Sequence, residues 1–121
     1  MKLTADHSDG NTIRSYSNGE IRIMEQLIDT NVIITKDTIL TEWKPVAFDE
    51  LDLIDFRLAI ELAPEIILFG TGKKQRFPSI ALITKILHKG IAFEVMDTAV
   101  ACQTFNVLIG EQRKVAAALI V

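Results

Sequence analysis

A glycine-containing stretch followed by three cations is the part of the sequence best suited to bind a ligand. Gly70-Thr71-Gly72 follows an apolar run, and Lys73, Lys74 and Arg76 come directly after it. Glycines at the end of a strand let backbone N–H groups approach a ligand, and a following helix start favours anions. The stretch therefore predicts a phosphate or carboxylate site at Gly70, Thr71, Gly72 and Lys73, with the charged side chain of Arg76 extending toward the ligand.

The same stretch also has a structural interpretation. Gln75 stands where a dinucleotide-binding fingerprint needs its third glycine, and the run lacks the Gly-Lys-Ser/Thr ending of a nucleotide P-loop. A tight turn between a strand and a helix, with its cations in solvent, accounts for the same residues. A ligand site and a structural turn both remain open on the sequence alone.

Asp97 and Thr98 form a second polar pair, and they follow the next apolar strand of the sequence. If the two strands run parallel, their ends meet at one edge of the sheet. We then expect Asp97 and Thr98 to form the wall opposite the glycine stretch. In the alternative interpretation the pair caps the helix that follows, and a single group can do both.

Cys102 is the one cysteine of the chain, and we expect it to be buried and unreactive. Its neighbours Val100 and Phe105 are apolar, which favours an inert thiol inside a helix. A nucleophilic cysteine needs a nearby base, and neither His7 nor His88 is spaced to supply one. The sequence therefore predicts no catalytic residue.

No metal or cofactor is predicted either. Two histidines and one cysteine, all far apart, do not form a zinc pattern, and the acidic residues between Asp49 and Asp55 are expected to point outward from a helix. Glu94 interrupts an apolar strand, so we expect it at a sheet edge or paired with a cation, and we assign it no reaction.

The elements that must position these residues alternate in the second half of the chain. Apolar runs predict strands over 65–69, 91–96 and 115–120, and helical signals predict helices over 49–62, 78–89 and 98–108. The first helix is expected to turn Leu51, Ile54, Leu58 and Leu62 inward. Strands with no polar alternation are typical of parallel sheets covered on both faces, so we predict an α/β fold with these strands in one sheet.

The first forty residues predict a small β region in front of the α/β part. Asn18-Gly19 favours a tight hairpin turn between strands over 12–16 and 21–24. Further extended segments are expected over 31–35 and 38–42, which gives three or four strands.

Length and charge exclude several classes of protein. A chain of 121 residues suits a single domain spanning 1–121. A net charge of -3, from 13 basic and 16 acidic residues, argues against nucleic-acid binding. The chain shows no import leader and no apolar run of the ~20 residues that span a bilayer, so we expect a cytoplasmic protein without membrane insertion.

Two long blocks of the second half resemble the Mth938-like domain family. The family includes the mitochondrial complex I assembly factor and many uncharacterised bacterial and archaeal proteins. The matching residues are Pro64 to Gly72 with Gln75-Arg76-Phe77-Pro78, then Glu94 to Thr98 with Ala101-Cys102, Thr104 and Asn106-Val107-Leu108. The resemblance implies a three-layer α/β fold with a mixed central sheet. Without an import leader, the chain looks like a bacterial member.

Two functions follow from these observations. The first is a non-catalytic protein-binding or assembly-factor-like role, which the resemblance implies for the mitochondrial relatives and which needs a protein partner. The second is a small-molecule or anion-binding domain, or an enzyme, that uses the Gly70-Thr71-Gly72 loop. We favour the first, because a basic loop without a paired acid or base can bind a partner but lacks the groups that acid–base catalysis needs.

Overall fold

The computed structural model describes residues 10–17 and 19–121. The strands of this part are β1 (Ile13–Ser17), β2 (Glu20–Ile23), β3 (Gln26–Ile28), β4 (Val32–Ile34), β5 (Ile39–Thr41), β6 (Ile66–Thr71), β7 (Ala92–Met96) and β8 (Val115–Ile120). The helices are α1 (Arg57–Glu61), α2 (Ile80–His88) and α3 (Thr98–Gly110). Among the described residues, no helix is long and apolar enough to cross a membrane.

A five-stranded mixed sheet in the order β5-β4-β8-β6-β7 forms the centre of the fold. β6 runs parallel to both β7 and β8, and β4 runs antiparallel to β8 and β5. All six residues of β6 are buried, as expected for a strand covered on both faces. The prediction that β6, β7 and β8 share one sheet with α3 packed on it is confirmed.

Both faces of this sheet are covered, which gives three layers. On one face, α3 and a separate three-stranded antiparallel sheet, β1-β2-β3, enclose a core that includes Phe105 and Leu68. On the other face, α1, α2 and two short 3-10 turns enclose an aromatic core. There the ring of Phe56 meets the rings of Trp43 and Phe69 edge-on, at centroid distances of 5.5 and 5.1 Å. The three-layer α/β prediction is confirmed.

The helix predicted over 49–62 is wrong in its boundaries and in part of its inward face, although Leu51 is buried and Leu62 packs against the core as predicted. Two 3-10 turns, Phe48–Glu50 and Leu53–Phe56, precede the short α1. Between them Asp52 is extended and forms a capping box with Asp55. A new helical turn therefore begins at Leu53, and its side chains face other directions than they would in one continuous helix. Phe56 and Ala59 are therefore buried, whereas Ile54 and Leu58, predicted to be inward, are 71% and 38% exposed.

The N-terminal β region is divided differently from the prediction. It contains five short strands, of which β4 and β5 join the central sheet and only β1, β2 and β3 form a separate one. β3 was not predicted, because three residues carry too little pattern. Ser17 pairs with Glu20, which confirms the hairpin, and Gly19 has a φ of 76°, but Asn18 lies outside the described residues.

Two predicted helix ends also shift by two residues. α2 begins at Ile80 rather than at 78, because Ser79 caps it by accepting a hydrogen bond from the Leu82 N–H at 3.1 Å. α3 continues through Gly110, two residues beyond its predicted end at 108. Glu94 is exposed on β7, an edge strand of the central sheet, as expected.

Candidate functional site

An open depression of about 380 Å³ lies at the carboxyl end of β6. Three cations surround it, and the side chains of Lys73, Lys74 and Arg76 are exposed. The lining residues are Thr71, Gly72, Lys73, Lys74, Arg76, Ile120 and Val121. The structure thus brings four of the seven predicted site residues to one surface: Thr71, Gly72, Lys73 and Arg76.

Gly70 lies beneath this surface and serves packing. A Cβ atom at Gly70 would lie 2.8 Å from the Leu119 side chain and 3.1 Å from the Thr98 Cα. Only a residue without a side chain lets the start of α3 approach β6 this closely. Gly72 has a φ of 96°, which places it in the region that favours glycine and turns the chain out of the strand.

Thr98 is fully buried and joins three segments at this end of the sheet. Its hydroxyl accepts a hydrogen bond from the Gly72 N–H at 2.8 Å and donates one to the Ile120 carbonyl at 2.6 Å. The Thr98 N–H donates in turn to the Gly72 carbonyl at 2.9 Å. The Gly72 amide, which the sequence suggested as an anion ligand, is therefore already satisfied within the protein.

Thr71 holds the loop that follows the strand. Its Oγ1 lies 2.5 Å from the Lys74 carbonyl and 3.3 Å from the Met96 carbonyl. The same oxygen accepts a hydrogen bond from the Arg76 N–H at 3.1 Å. The loop that carries the cations is consequently fixed by its own first residue.

The guanidinium group of Arg76 lies against the aromatic ring of Phe48. Its guanidinium carbon lies 4.0 Å from the centroid of the Phe48 ring, a distance at which cation–π attraction operates. The next residue, Phe77, is 66% exposed, and Ile80 at the start of α2 is 81% exposed. Sequence reasoning missed Phe48, because nothing in its spacing connects it to a loop 28 residues away.

Asp97 acts as a helix cap. Its Oδ1 accepts a hydrogen bond from the Val100 N–H at 2.9 Å, as the structural interpretation of this residue predicts. Asp97 and Thr98 are not among the residues that line the depression, so the opposite wall predicted for them does not form there. That wall consists instead of Ile120 and Val121, from the end of β8 and the residue after it.

A second concave region lies between β1 and α3 and was not predicted. This groove, of about 210 Å³, is lined by Ile13, Arg14, Ser15, Tyr16, Ala99, Cys102, Gln103 and Asn106. The Asn106 side chain accepts from the Ile13 N–H and donates to the Ile13 carbonyl, both at 2.8 Å. Residues 93 positions apart meet here, and no local sequence pattern signals such a contact.

Cys102 is buried beneath this groove, as predicted. Burial raises the pKa of its thiol to about 12. Burial also raises the pKa of Tyr16, and the negative charge of Asp97 adds to that shift. His88 lies on α2, across the central sheet from Cys102, and His7 lies outside the described residues. The thiol is therefore kept protonated at neutral pH.

Solved structures place this architecture in a known class. The chain has a TM-score of 0.83 and 33% identity to the NMR structure of XCC1710 from Xanthomonas campestris, covering 100% of this chain and 92% of that one. The solution NMR structure of a Bordetella pertussis protein, described as a Mth938-like domain, has a TM-score of 0.78 at 23% identity, and the match covers 93% of this chain and 87% of that one. The protein has a Mth938-like fold.

The chain belongs to the family described as protein of unknown function (DUF498/DUF598), which matches residues 13–120. Among curated relatives it is 33% identical, over 98% of its own length, to the Xenopus tropicalis NADH dehydrogenase (ubiquinone) 1 alpha subcomplex assembly factor 3. It is 40% identical, over 52% of its length, to a 13 kDa major membrane protein of Francisella tularensis. The chain spans 66% and 51% of these two relatives.

Proposed function

We propose that this chain is a non-catalytic protein-binding protein with an assembly-factor-like role. The observation that carries the proposal is the alignment with an assembly factor over 98% of the chain. The finer statements belong to the same proposal: a bacterial, cytoplasmic protein, folded as one domain, that helps to assemble a membrane complex through contact with another protein.

The geometry of the basic loop supports a protein partner. The hydroxyls of Thr71 and Thr98 and the amide of Gly72 are satisfied internally, so the loop is fixed before any partner binds. It presents the cations of Lys73 and Lys74, and the exposed ring of Phe77 follows three residues after Lys74. A rigid surface with an aromatic side chain among charges suits an acidic protein surface, because little conformational entropy is lost on binding.

Affinity purification from the native organism tests this proposal. The double variant Lys73→Glu/Lys74→Glu reverses two exposed charges of the loop, and Arg22→Glu, on the exposed side of β2, is the matched control. We expect one set of proteins to be recovered with the wild type and the control and lost with the double variant. Equal recovery with all three proteins would contradict the proposal.

A second function, binding of a small anion or small molecule, is supported by the depression with three cations at its rim. In this alternative Lys73 and Arg76 would supply the charge, and the ligand would sit over Thr71 and Gly72. Titration with inorganic phosphate and with a nucleotide, followed by backbone amide shifts in NMR, separates the two functions. Amide shifts confined to residues 70–76 and 98 would support anion binding. No shifts at millimolar ligand would support protein binding by the loop instead.

A further inference from the structure

β7 ends the central sheet on one side, and its outer backbone groups face away from the sheet. The Ala92 N–H donates to the Glu65 carbonyl at 3.0 Å, which fixes the direction in which alternate residues point. The N–H and C=O groups of Phe93 and Val95 therefore point outward. The Gln75 Nε2 donates to the Val95 carbonyl at 3.0 Å, which leaves that oxygen a second lone pair. Such an edge can pair with another strand.

α2 carries an exposed apolar stripe. Leu82 and Ile86 face the core, with exposures of 1% and 0%, whereas Ile80 and Leu87 are 81% and 49% exposed. Ile80 and Leu87 are seven residues apart, so they lie on the same side of the helix. Ile83, partly buried, lies between them along that side.

The stripe faces outward over the edge of β7. Lys85 reaches back to Asp52 at 2.9 Å, so that flank of α2 faces the second 3-10 turn. Leu87 comes two residues after Lys85, about 200° around the helix, and therefore faces the opposite way. α2 packs on β7, at the sheet edge, whereas α1 packs on β8. The apolar stripe and the outer edge of β7, which pairs with no further strand among the described residues, thus lie on the same side of the molecule.

We propose that a second copy of this chain binds this surface, with the two β7 strands paired antiparallel about a twofold axis. Lys89 precedes β7 and Asp97 directly follows it, whereas Glu94 is the middle residue of the strand. An antiparallel pairing brings the basic start of one strand to the acidic end of the other, so the surface is complementary to itself. The same axis sets the two α2 helices side by side, with Ile80 of each copy against Leu87 of the other.

Charge also selects the register of this pairing. A twofold axis at Glu94 would set two carboxylates directly opposite each other, which is unfavourable. An axis at Phe93 sets Glu94 opposite Ala92 of the second copy and lets the outward groups of Phe93 exchange hydrogen bonds with their own counterparts. We therefore assign the axis to Phe93, which extends the five-stranded sheet of each copy into one sheet through both.

Sedimentation equilibrium from about 1 to 200 μM tests the dimer, a range that covers micromolar to weaker association. We expect twice the monomer mass for the wild type. Ile80→Glu and Leu87→Glu should each weaken the association at least ~10-fold, because both side chains are exposed and their loss leaves the core intact. Val107→Glu is the matched control: Val107 is 58% exposed on α3, on the other face of the sheet, and its variant should dimerise like the wild type.

Disulfide trapping tests the arrangement itself. The double variant Ile80→Cys/Leu87→Cys should form a covalent dimer on mild oxidation, whereas Ile80→Cys alone should not; the native Cys102 is buried and should take no part. A wild type that stays monomeric at 200 μM, or a dimer that both Glu variants leave unchanged, would overturn the proposal. Leu87→Glu should still recover the proteins that the basic loop binds, so failure of the dimer is distinguishable from failure of the protein-binding function.

Discussion

Thr98 joins the glycine loop to the ends of β8 and α3. It is 0% exposed, and its hydroxyl serves both the Gly72 N–H and the Ile120 carbonyl. Thr98→Val keeps the shape of the side chain but leaves the buried Gly72 N–H without its acceptor and removes the bond to the part-buried Ile120 carbonyl, so we expect a loss of about 1–3 kcal/mol in the free energy of unfolding. Urea denaturation measures it.

Thr98→Ser and Thr104→Val are the controls for this experiment. Serine retains the hydroxyl and should recover most of the lost stability. Thr104 donates to the Val100 carbonyl on the exposed side of α3, where solvent can replace the bond, so its variant should cost little. Equal losses for Thr98→Val and Thr104→Val would show that the buried network does not hold the loop.

The buried thiol of Cys102 should make the free energy of unfolding depend on pH in the alkaline range. Burial raises the pKa of its thiol in the folded protein to about 12, above the ~8.5 of a free cysteine. At a pH between these values the unfolded chain releases the proton and the folded chain keeps it, so stability is complete below about pH 8.5 and falls as the pH rises. Each pH unit in this window should cost up to ~1.4 kcal/mol.

Urea denaturation of the wild type and of Cys102→Ala between pH 7 and 10.5 measures this effect. The variant should be less stable at neutral pH, since it loses buried volume, but it should lack the part of the alkaline decline that belongs to the thiol. If the free energy of unfolding fell equally with pH for the wild type and for Cys102→Ala, the raised pKa of the Cys102 thiol would be contradicted.

At the scale of elements, one side chain joins the three-stranded sheet to α3. Asn106 makes two hydrogen bonds to the backbone of Ile13, the first residue of β1. Asn106→Ala should release this corner, so we expect the Ile13 amide hydrogen to exchange at least ~10-fold faster while amides of β6 and β8 change little. Gln103→Ala, exposed on the same helix, is the control and should leave the exchange of Ile13 unchanged.

The strands and helices differed in how well the sequence predicted them. β6 and β8 were predicted because each is a continuous apolar run, which is typical of a strand covered on both faces. β7 is an edge strand with Glu94 exposed, and it was predicted from the shorter apolar run between Gly90 and Asp97. The segment over 49–62 was mispredicted because the Asp52 and Asp55 capping box is local chemistry that hydrophobic periodicity does not report. The division of the first five strands between two sheets depends on long-range pairing, such as Val32 with Leu119.

The candidate site was predicted in position but not in the roles of its residues. The sequence placed Thr71, Gly72, Lys73 and Arg76 at one strand end because they follow one apolar run along the chain, whereas Asp97 and Thr98, expected there from the parallel strands, do not line the depression. It could not show that Gly70 serves packing against Thr98, since that clash appears only when α3 is set against β6. It also could not show that the ring of Phe48 lies against Arg76.

At the scale of the whole molecule, we propose one surface for binding another protein and a second surface for binding a second copy of the chain. The exposed cations and Phe77 follow the carboxyl end of β6, and the outer edge of β7 with the stripe of α2 lies along one side. A dimer formed through β7 would present two basic loops, one from each copy. Two weak contacts on one partner would then act together, which raises the apparent affinity without any new contact.

The central claim, that the basic loop binds another protein, is tested most directly by photo-crosslinking in living cells. A photoreactive amino acid at Phe77, 66% exposed and three residues after Lys74, samples what touches the loop, and the same amino acid at Leu27, 54% exposed on β3, is the matched control. We predict covalent adducts with another protein from position 77, none from position 27, and their loss when Lys73→Glu/Lys74→Glu is added. Absence of adducts from position 77, or equal adducts from both positions, would contradict the claim.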